Sequence, residues 1–200
     1  MTSILTACTE KPPLLMTRKL PADFSLDRYG VHVRLADVQD SEFILSLRTN
    51  ETLARYIHAT PNDIEKQRAW MREYKKREEE GKEYYFIYSY QNEDFGVNRF
   101  YNVAHDHATS GSWVCKQGIR SDLPVLTILI AKEIKYDILN HTHEFFDVRK
   151  ENKLVQKTHL LFGAKQIGET DTDYSYSVRK EDYYMHKTKI LKILGLTQNG

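Results

Sequence analysis

The stretch from Glu144 to Glu169 constrains this chain most, because it leaves almost no slack between a strand, a helix and a second strand. Glu144 to Val148 is a short apolar run bounded by charge, which reads as a strand. Asn152 suits a helix N-cap, since its side-chain carbonyl accepts a backbone N–H that lacks an intrahelical partner. Leu154, Thr158, Leu161 and Phe162 recur at helical spacing, and Gly163 supplies the left-handed residue that closes a helix. Lys165 to Glu169 then leaves as a strand.

The rest of the chain reads in order. Residues 1 to 28 show no periodicity and form a tail or irregular entry arm; residues 29 to 200 form a single domain. Val31 to Leu35 alternates as a first strand. Asp37 caps a helix with Val38, Phe43, Ile44 and Leu47 on its apolar face, and Glu51 to Ile57 adds a second helical segment. Thr60-Pro61-Asn62-Asp63 starts the next helix, with threonine as cap and proline preset for the first helical position. That helix runs through Trp70 and Tyr74 into a solvated charge run and stops at Gly81. Tyr84 to Tyr90, Phe95 to Val103 and Thr109 to Lys116 form an antiparallel meander joined by turn residues. Leu123 to Leu139 is a helix, Tyr174 to Val178 a last strand, and Glu181 to Leu194 a C-terminal amphipathic helix. This is an α/β (α+β) architecture with a mixed, mostly antiparallel sheet of six to seven strands flanked by helices.

Charge and cysteines narrow the function classes. Lys plus Arg is 29 against 28 for Asp plus Glu, so bulk attraction to nucleic acid or to anionic membrane is absent from the expectation. Apolar runs are too short to span a bilayer. Cys8 and Cys115 lie far apart, which points to a reducing cytoplasm and not to a structural disulfide. His105-x-His107 and His141-x-His143 lack the carboxylate or cysteine spacing of a metal site, so no metal is expected.

The run Asp147-Val148-Arg149-Lys150-Glu151-Asn152, followed by His159-Leu160-Leu161-Phe162-Gly163-Ala164, resembles a motif of the GNAT acetyltransferases. There a strand leads to an asparagine, a helix and a glycine–aromatic close. The element order from Val31 to Tyr183 resembles that family as well, in particular its branch acting on ribosomal proteins, antibiotics or amino sugars. The resemblance implies an acetyl-CoA-dependent N-acetyltransferase that acts by direct attack of a primary amine on the thioester. An amino sugar or small amine is the first expectation for the acceptor and a protein N-terminus the second. No nucleic-acid or membrane partner is implied, and a homodimer fits the family.

The resemblance also places residues. Trp113, Val114 and Cys115 would form the open strand edge that pairs with the pantetheine arm, with a backbone N–H near Val114 or Cys115 for the oxyanion. Trp113 alone reads as a core aromatic, and Cys115 as a small buried hydrophobe. Asn152 would contact the cofactor arm while also capping its helix. His159 falls where the family carries a tyrosine general acid, although a lone helical histidine is also a common structural residue. Arg99 and Tyr101 would touch the acceptor. The general base is unassigned, with Asp106, His107 and Glu83 as weak candidates.

One turn departs from the family. Lys116 to Pro124 should cradle the pyrophosphate with small residues and free N–H groups, yet it holds a single glycine, Gly118, and Asp122 near a glycine position. Arg120 and Ser121 would hold the phosphates with altered geometry, or Arg120 is a solvated loop charge. The alternative is a non-catalytic module of this fold with a degenerate pyrophosphate loop.

Overall fold

In a computed structural model, which describes residues 18–196, the alternating segments become eight strands. They are β1 (Ser25–Arg28), β2 (Val31–Leu35), β3 (Tyr84–Tyr90), β4 (Glu93–Tyr101), β5 (His107–Cys115), β6 (His143–Arg149), β7 (Lys165–Glu169) and β8 (Asp173–Arg179). The helices are α1 (Ser41–Thr49), α2 (Ile64–Glu79), α3 (Leu123–Glu133), α4 (Lys153–Leu161) and α5 (Lys180–Ile193). The strands make one sheet in the order β1-β2-β3-β4-β5-β6-β8-β7. Every neighbouring pair is antiparallel except β5 and β6, which run parallel over three residue pairs, from His107 opposite His143 to Thr109 opposite Phe145.

The eighth strand is β1, inside the stretch read as an entry arm. It turns into β2 through Tyr29 (φ 55°) and Gly30 (φ 75°), the paired left-handed residues that a tight hairpin needs. Four residues with one apolar member are too short to show alternation. Leu20 and Phe24, just ahead of it, are buried in the core. Residues 1–17 of the proposed tail, with Cys8, lie outside the described residues.

Three helix boundaries also move. Asp37 caps a short 3₁₀ turn, Val38–Asp40, closed by a reciprocal bond from the Asp37 N–H to the Asp40 carboxylate, and α1 follows. Glu51 to Ile57 forms turns instead of a helix: the Asn50 side chain accepts from the N–H groups of Thr52 and Leu53, both at 3.1 Å. Thr60 is not the cap of α2. Asp63 accepts from the Glu65 and Lys66 N–H groups, while the Thr60 hydroxyl is taken by Arg48. A charged cap one residue from the helix outcompetes a hydroxyl further upstream.

Both faces of the sheet are covered, which is why β3 is buried along almost its whole length. Tyr84, Phe86, Tyr88 and Phe100 pack with Leu126 and Ile130 of α3 and with Tyr183 and Leu191 of α5. On the other face, Tyr85, Ile87, Val97 and Val114 meet Ile44 and Leu47 of α1 and Met71 and Tyr74 of α2. Burying each such side chain contributes about 1.5–3 kcal/mol.

Candidate active site

The parallel ladder between β5 and β6 stops at Thr109 and Phe145, and beyond it the two strands part. Residues 110–116 and 146–149 then line a cleft of about 380 Å³. A bulge shapes one wall. Val97 opposes Val114 and Arg99 opposes Gly111, so Ser112 and Trp113 together face Asn98. Ser112 takes a left-handed φ of 50°, and such a bulge re-aims the side chains that follow it. Gly111 is required beside it, because a Cβ there would come within 2.8 Å of the Tyr101 ring.

The fork brings together Trp113, Val114, Cys115, Asn152 and His159. Asn152 does two things: its side chain accepts from the Val155 N–H at 3.3 Å, capping α4, and it lines the cleft. Trp113 is held by a 2.8 Å hydrogen bond from its indole N–H to the Thr127 hydroxyl. Burial pushes the Cys115 thiol up to about 12, against a bond from Thr127 that lowers it. It is a thiol at neutral pH, which removes it as a nucleophile.

His159 stands in an aromatic slot, its ring centroid 4.1 Å from Phe146 and 6.4 Å from Trp113. Its Nδ1 is buried with no hydrogen-bond partner. Burial, with Lys132 adding to it, draws its pKa down to about 3, so the ring is neutral at physiological pH. An imidazolium acid is therefore not populated there, which changes the role expected of this residue.

The charge that adds to burial lies behind the ring. Glu144 is buried at the apex of the fork and receives hydrogen bonds from Lys132, from Lys135 and, at 2.6 Å, from the Ser110 hydroxyl. Both lysines are fully buried. Burial alone would raise the Glu144 carboxyl, but the two ammonium groups outweigh it and hold it well below the usual range. Burial draws the Lys135 ammonium down to about 8, opposed by Glu144 and assisted by Lys132. Two cations against one anion leave the apex with an excess of positive charge. The sequence carried a signal for this trio: Lys132 and Lys135 follow the apolar run Ile128–Ala131 in a segment that is buried on nearly every side.

Arg120 and Ser121 do not line the cleft. Arg120 forks onto Asp122, at 2.6 and 2.9 Å, and also donates to the Tyr90 hydroxyl at 2.7 Å. Nothing lies within 4 Å of where a Cβ on Gly118 would be, so that glycine serves its φ of 73° and no close backbone approach. The cations in the cleft wall are Lys116 and Arg149, with Pro124 at the start of α3. The open edge of residues 113–115 and the head of α4 frame an elongated cleft with Lys116 in its wall.

Arg99 and Tyr101 meet on β4, the guanidinium 5.1 Å from the phenol ring, but they face two different hollows outside the fork. Arg99 lines one of about 350 Å³ with Arg48, Lys66, Trp70, Tyr85 and Ser112. Tyr101 lines another with Phe145, Asp147 and Ser175. Of the weak base candidates, Glu83 is locked between Arg77 and Arg99, and Asp106 pairs with His107 at 2.7 Å, at the paired end of β5 and away from the fork. Sequence reasoning missed Asn98, buried in the cleft wall with its side-chain carbonyl unpartnered, and Asp147, an exposed carboxylate on the β6 wall. Single polar residues inside strands carry no periodic signal.

Among the described residues no group of three or more His, Cys, Asp or Glu is placed to hold a metal ion, and no helix is long and apolar enough to cross a membrane. No protein-family model and no curated protein matches the sequence. Solved structures do. The chain superposes on the ribosomal-protein-S5-alanine acetyltransferase of Vibrio fischeri with a TM-score of 0.69 at 14% identity, covering 80% of this chain and 99% of that one. For the spermidine N-acetyltransferase of Vibrio cholerae, in complex with CoA and spermine, the values are 0.68, 16%, 78% and 99%. Those two likenesses are likenesses of fold. With apo FdhC, a nucleotide-linked sugar GNAT, the TM-score is 0.75 at 32% identity over 84% of this chain and 96% of that one. A forked sheet with its cleft, and close to a third of the residues shared along nearly the whole length, place the chain in the GNAT acetyltransferase superfamily.

Proposed function

We propose that the protein transfers an acetyl group from acetyl-CoA directly to the primary amine of an amino sugar, the sugar being carried on a nucleotide. The observation that carries the reading is the fork of β5 from β6, whose walls hold Trp113, Val114, Cys115, Asn152 and His159 in one cleft. The similarity to a nucleotide-linked sugar GNAT favours the sugar acceptor over a protein N-terminus. The donor supplies the activated acyl carbon as a thioester.

The chain's residues then divide the work. Backbone N–H groups at Val114 or Cys115, freed where the ladder ends, face the carbonyl oxygen as it gains charge. Asn98 offers its unpartnered carbonyl to an amine N–H, which orients the nitrogen lone pair at the acyl carbon. The new C–N bond forms as the C–S bond breaks, and the surplus amine proton leaves through Asp147 or water to the sulfur. His159, neutral in its slot, donates a hydrogen bond to the sulfur and does not surrender a proton. The cationic apex behind it favours negative charge on the departing sulfur.

Calorimetric titration with acetyl-CoA and with free coenzyme A tests the reading. Binding of both, followed by thiol release on addition of a nucleotide-linked amino sugar, is expected. Failure of the chain to bind either would sink it and favour a non-catalytic module, the reading that the single-glycine turn from Lys116 to Pro124 supports.

A further inference from the structure

The hollow beside the cleft has chemistry that the transfer reaction does not use. Its lining includes Arg48, Lys66, Arg99, Thr60, Ser112 and Tyr85, and no carboxylate. Arg48 is the informative member. Its guanidinium donates to the Thr60 hydroxyl at 2.8 Å, to the Ser112 hydroxyl at 2.9 Å and to the His58 carbonyl at 3.4 Å. All three partners are neutral, so its charge is oriented and uncompensated. Arg99, by contrast, is matched by Glu83 and stacks 5.0 Å from the Trp70 ring. Tyr85, 1% exposed, contributes a buried hydroxyl close to the Arg48 guanidinium, with its acceptor capacity not taken up by any well-aligned hydrogen bond. An oriented guanidinium, a buried hydroxyl close to it and a flat indole wall make a site for an oxyanion attached to a ring.

The position of the hollow says whose anion it is. Ser112, the left-handed bulge residue, lines both the hollow and the acyl-transfer cleft. A molecule seated in the hollow therefore reaches the fork from the side opposite α4, where Asn152 sits. A volume of about 350 Å³ lies within the range of small-molecule pockets, roughly 300–1,000 Å³. With Arg99 paired to Glu83 and Lys66 3.3 Å from Asp63, Arg48 is the cation in this wall without a carboxylate partner among the described residues, and no carboxylate in the lining offers itself to a polyamine.

We infer that this hollow is the acceptor's anion subsite, and that it holds the phosphate of an amine-bearing phosphosugar through Arg48, Lys66 and the Tyr85 hydroxyl. The inference rests on the acetyltransferase reading and adds to it where the acceptor's phosphate is held. Two sources share this chemistry, a sugar on a nucleoside diphosphate and a simple sugar phosphate.

Isothermal calorimetry on the full chain, with and without saturating coenzyme A, tests it. The probes are uridine diphosphate, thymidine diphosphate, glucose 6-phosphate and spermidine. The phosphates should bind whether or not coenzyme A is present, and spermidine should not. Stronger binding of a diphosphate identifies the nucleotide carrier; equal binding of glucose 6-phosphate identifies the simple phosphosugar. Arg48→Met should weaken the phosphate probes by about 10- to 100-fold, the size of one charge-assisted hydrogen bond, with coenzyme A affinity unchanged and partial recovery in Arg48→Lys. Lys66→Glu, at an exposed position paired only with Asp63, leaves the core untouched and should weaken them too. The inference is overturned if no phosphate binds, if coenzyme A displaces the phosphates, or if both variants bind them as the wild type does. Phosphate binding by a chain that fails to bind coenzyme A would overturn the acetyltransferase reading instead and leave the anion site standing.

Discussion

The Phe146 ring lies against that of His159, centroids 4.1 Å apart, and this contact joins the cleft to the buried ion cluster. Lys132 sits 5.7 Å from the other partner of the contact, the Phe146 ring. The imidazole thus lies in an apolar slot with a cation close by, and both conditions disfavour a second proton.

His159→Phe keeps the aromatic packing and removes the hydrogen bond. We expect it to fold with wild-type stability and bind coenzyme A normally, while kcat falls about tenfold, the scale of one hydrogen bond to a charged group. The wild-type kcat profile should show no inflection from His159 between pH 5 and 8. An inflection there that vanishes in His159→Phe would mean that the ring works as a charged acid.

Glu144→Gln leaves two buried ammonium groups without an anion. Breaking a buried ion pair in this way costs roughly 3–5 kcal/mol. Chemical denaturation should show this as a shift of midpoint at unchanged slope. Lys132→Met removes one of the two cations and should cost less, because Lys135 still matches Glu144. In NMR titration it should also raise the His159 midpoint, since Lys132 is the leading charge that lowers it. An unmoved midpoint would show that burial alone sets the value.

Acid should destabilise the fold through His141 as well. This residue is fully buried with both ring nitrogens unpartnered, and burial, then Lys135, lower its pKa to about 4. An unfolded histidine takes a proton near pH 6.5 and the folded one only near 4, so the unfolded chain binds more protons in that window. Stability is therefore full above about pH 6.5 and declines toward pH 4, at up to about 1.4 kcal/mol per pH unit. His141→Leu should flatten the dependence of Tm on pH between 6.5 and 4; an equal slope in both proteins would refute the assignment.

Cys115 should react slowly. Its thiol is pushed up to about 12 by burial, so alkylation at pH 8 should be far slower than that of free cysteine, and slower again with coenzyme A in the cleft. Cysteine-directed labelling read by mass spectrometry decides it.

The strand–helix–strand unit from β6 to β7 was legible because each part had a local cause: apolar alternation, an asparagine cap and Gly163 in the left-handed region at φ 82°. The meander was legible for the same reason. Asn152 and His159 were placed in the cleft by their fixed offset from such a landmark, and Trp113 to Cys115 by their strand. Arg120 misled because its charge is spent on Asp122, a pairing two residues away that composition cannot reveal. Arg48 and Asn98 meet partners 12 to 64 residues distant, beyond any local pattern, whereas Glu144 meets Lys135 and Lys132 only 9 and 12 residues back, a nearness that says nothing of their shared burial.

The short parallel ladder between β5 and β6 carries one more consequence. On either side of it stand two antiparallel blocks, β1 to β5 and β6 with β8 and β7, each stitched along its full strands, whereas three residue pairs form the seam between them. The width of the reaction chamber is thus set by where that seam stops. Lengthening it by one pair would narrow the chamber without altering any side chain in its walls, so the opening is a property of strand register before it is a property of residues.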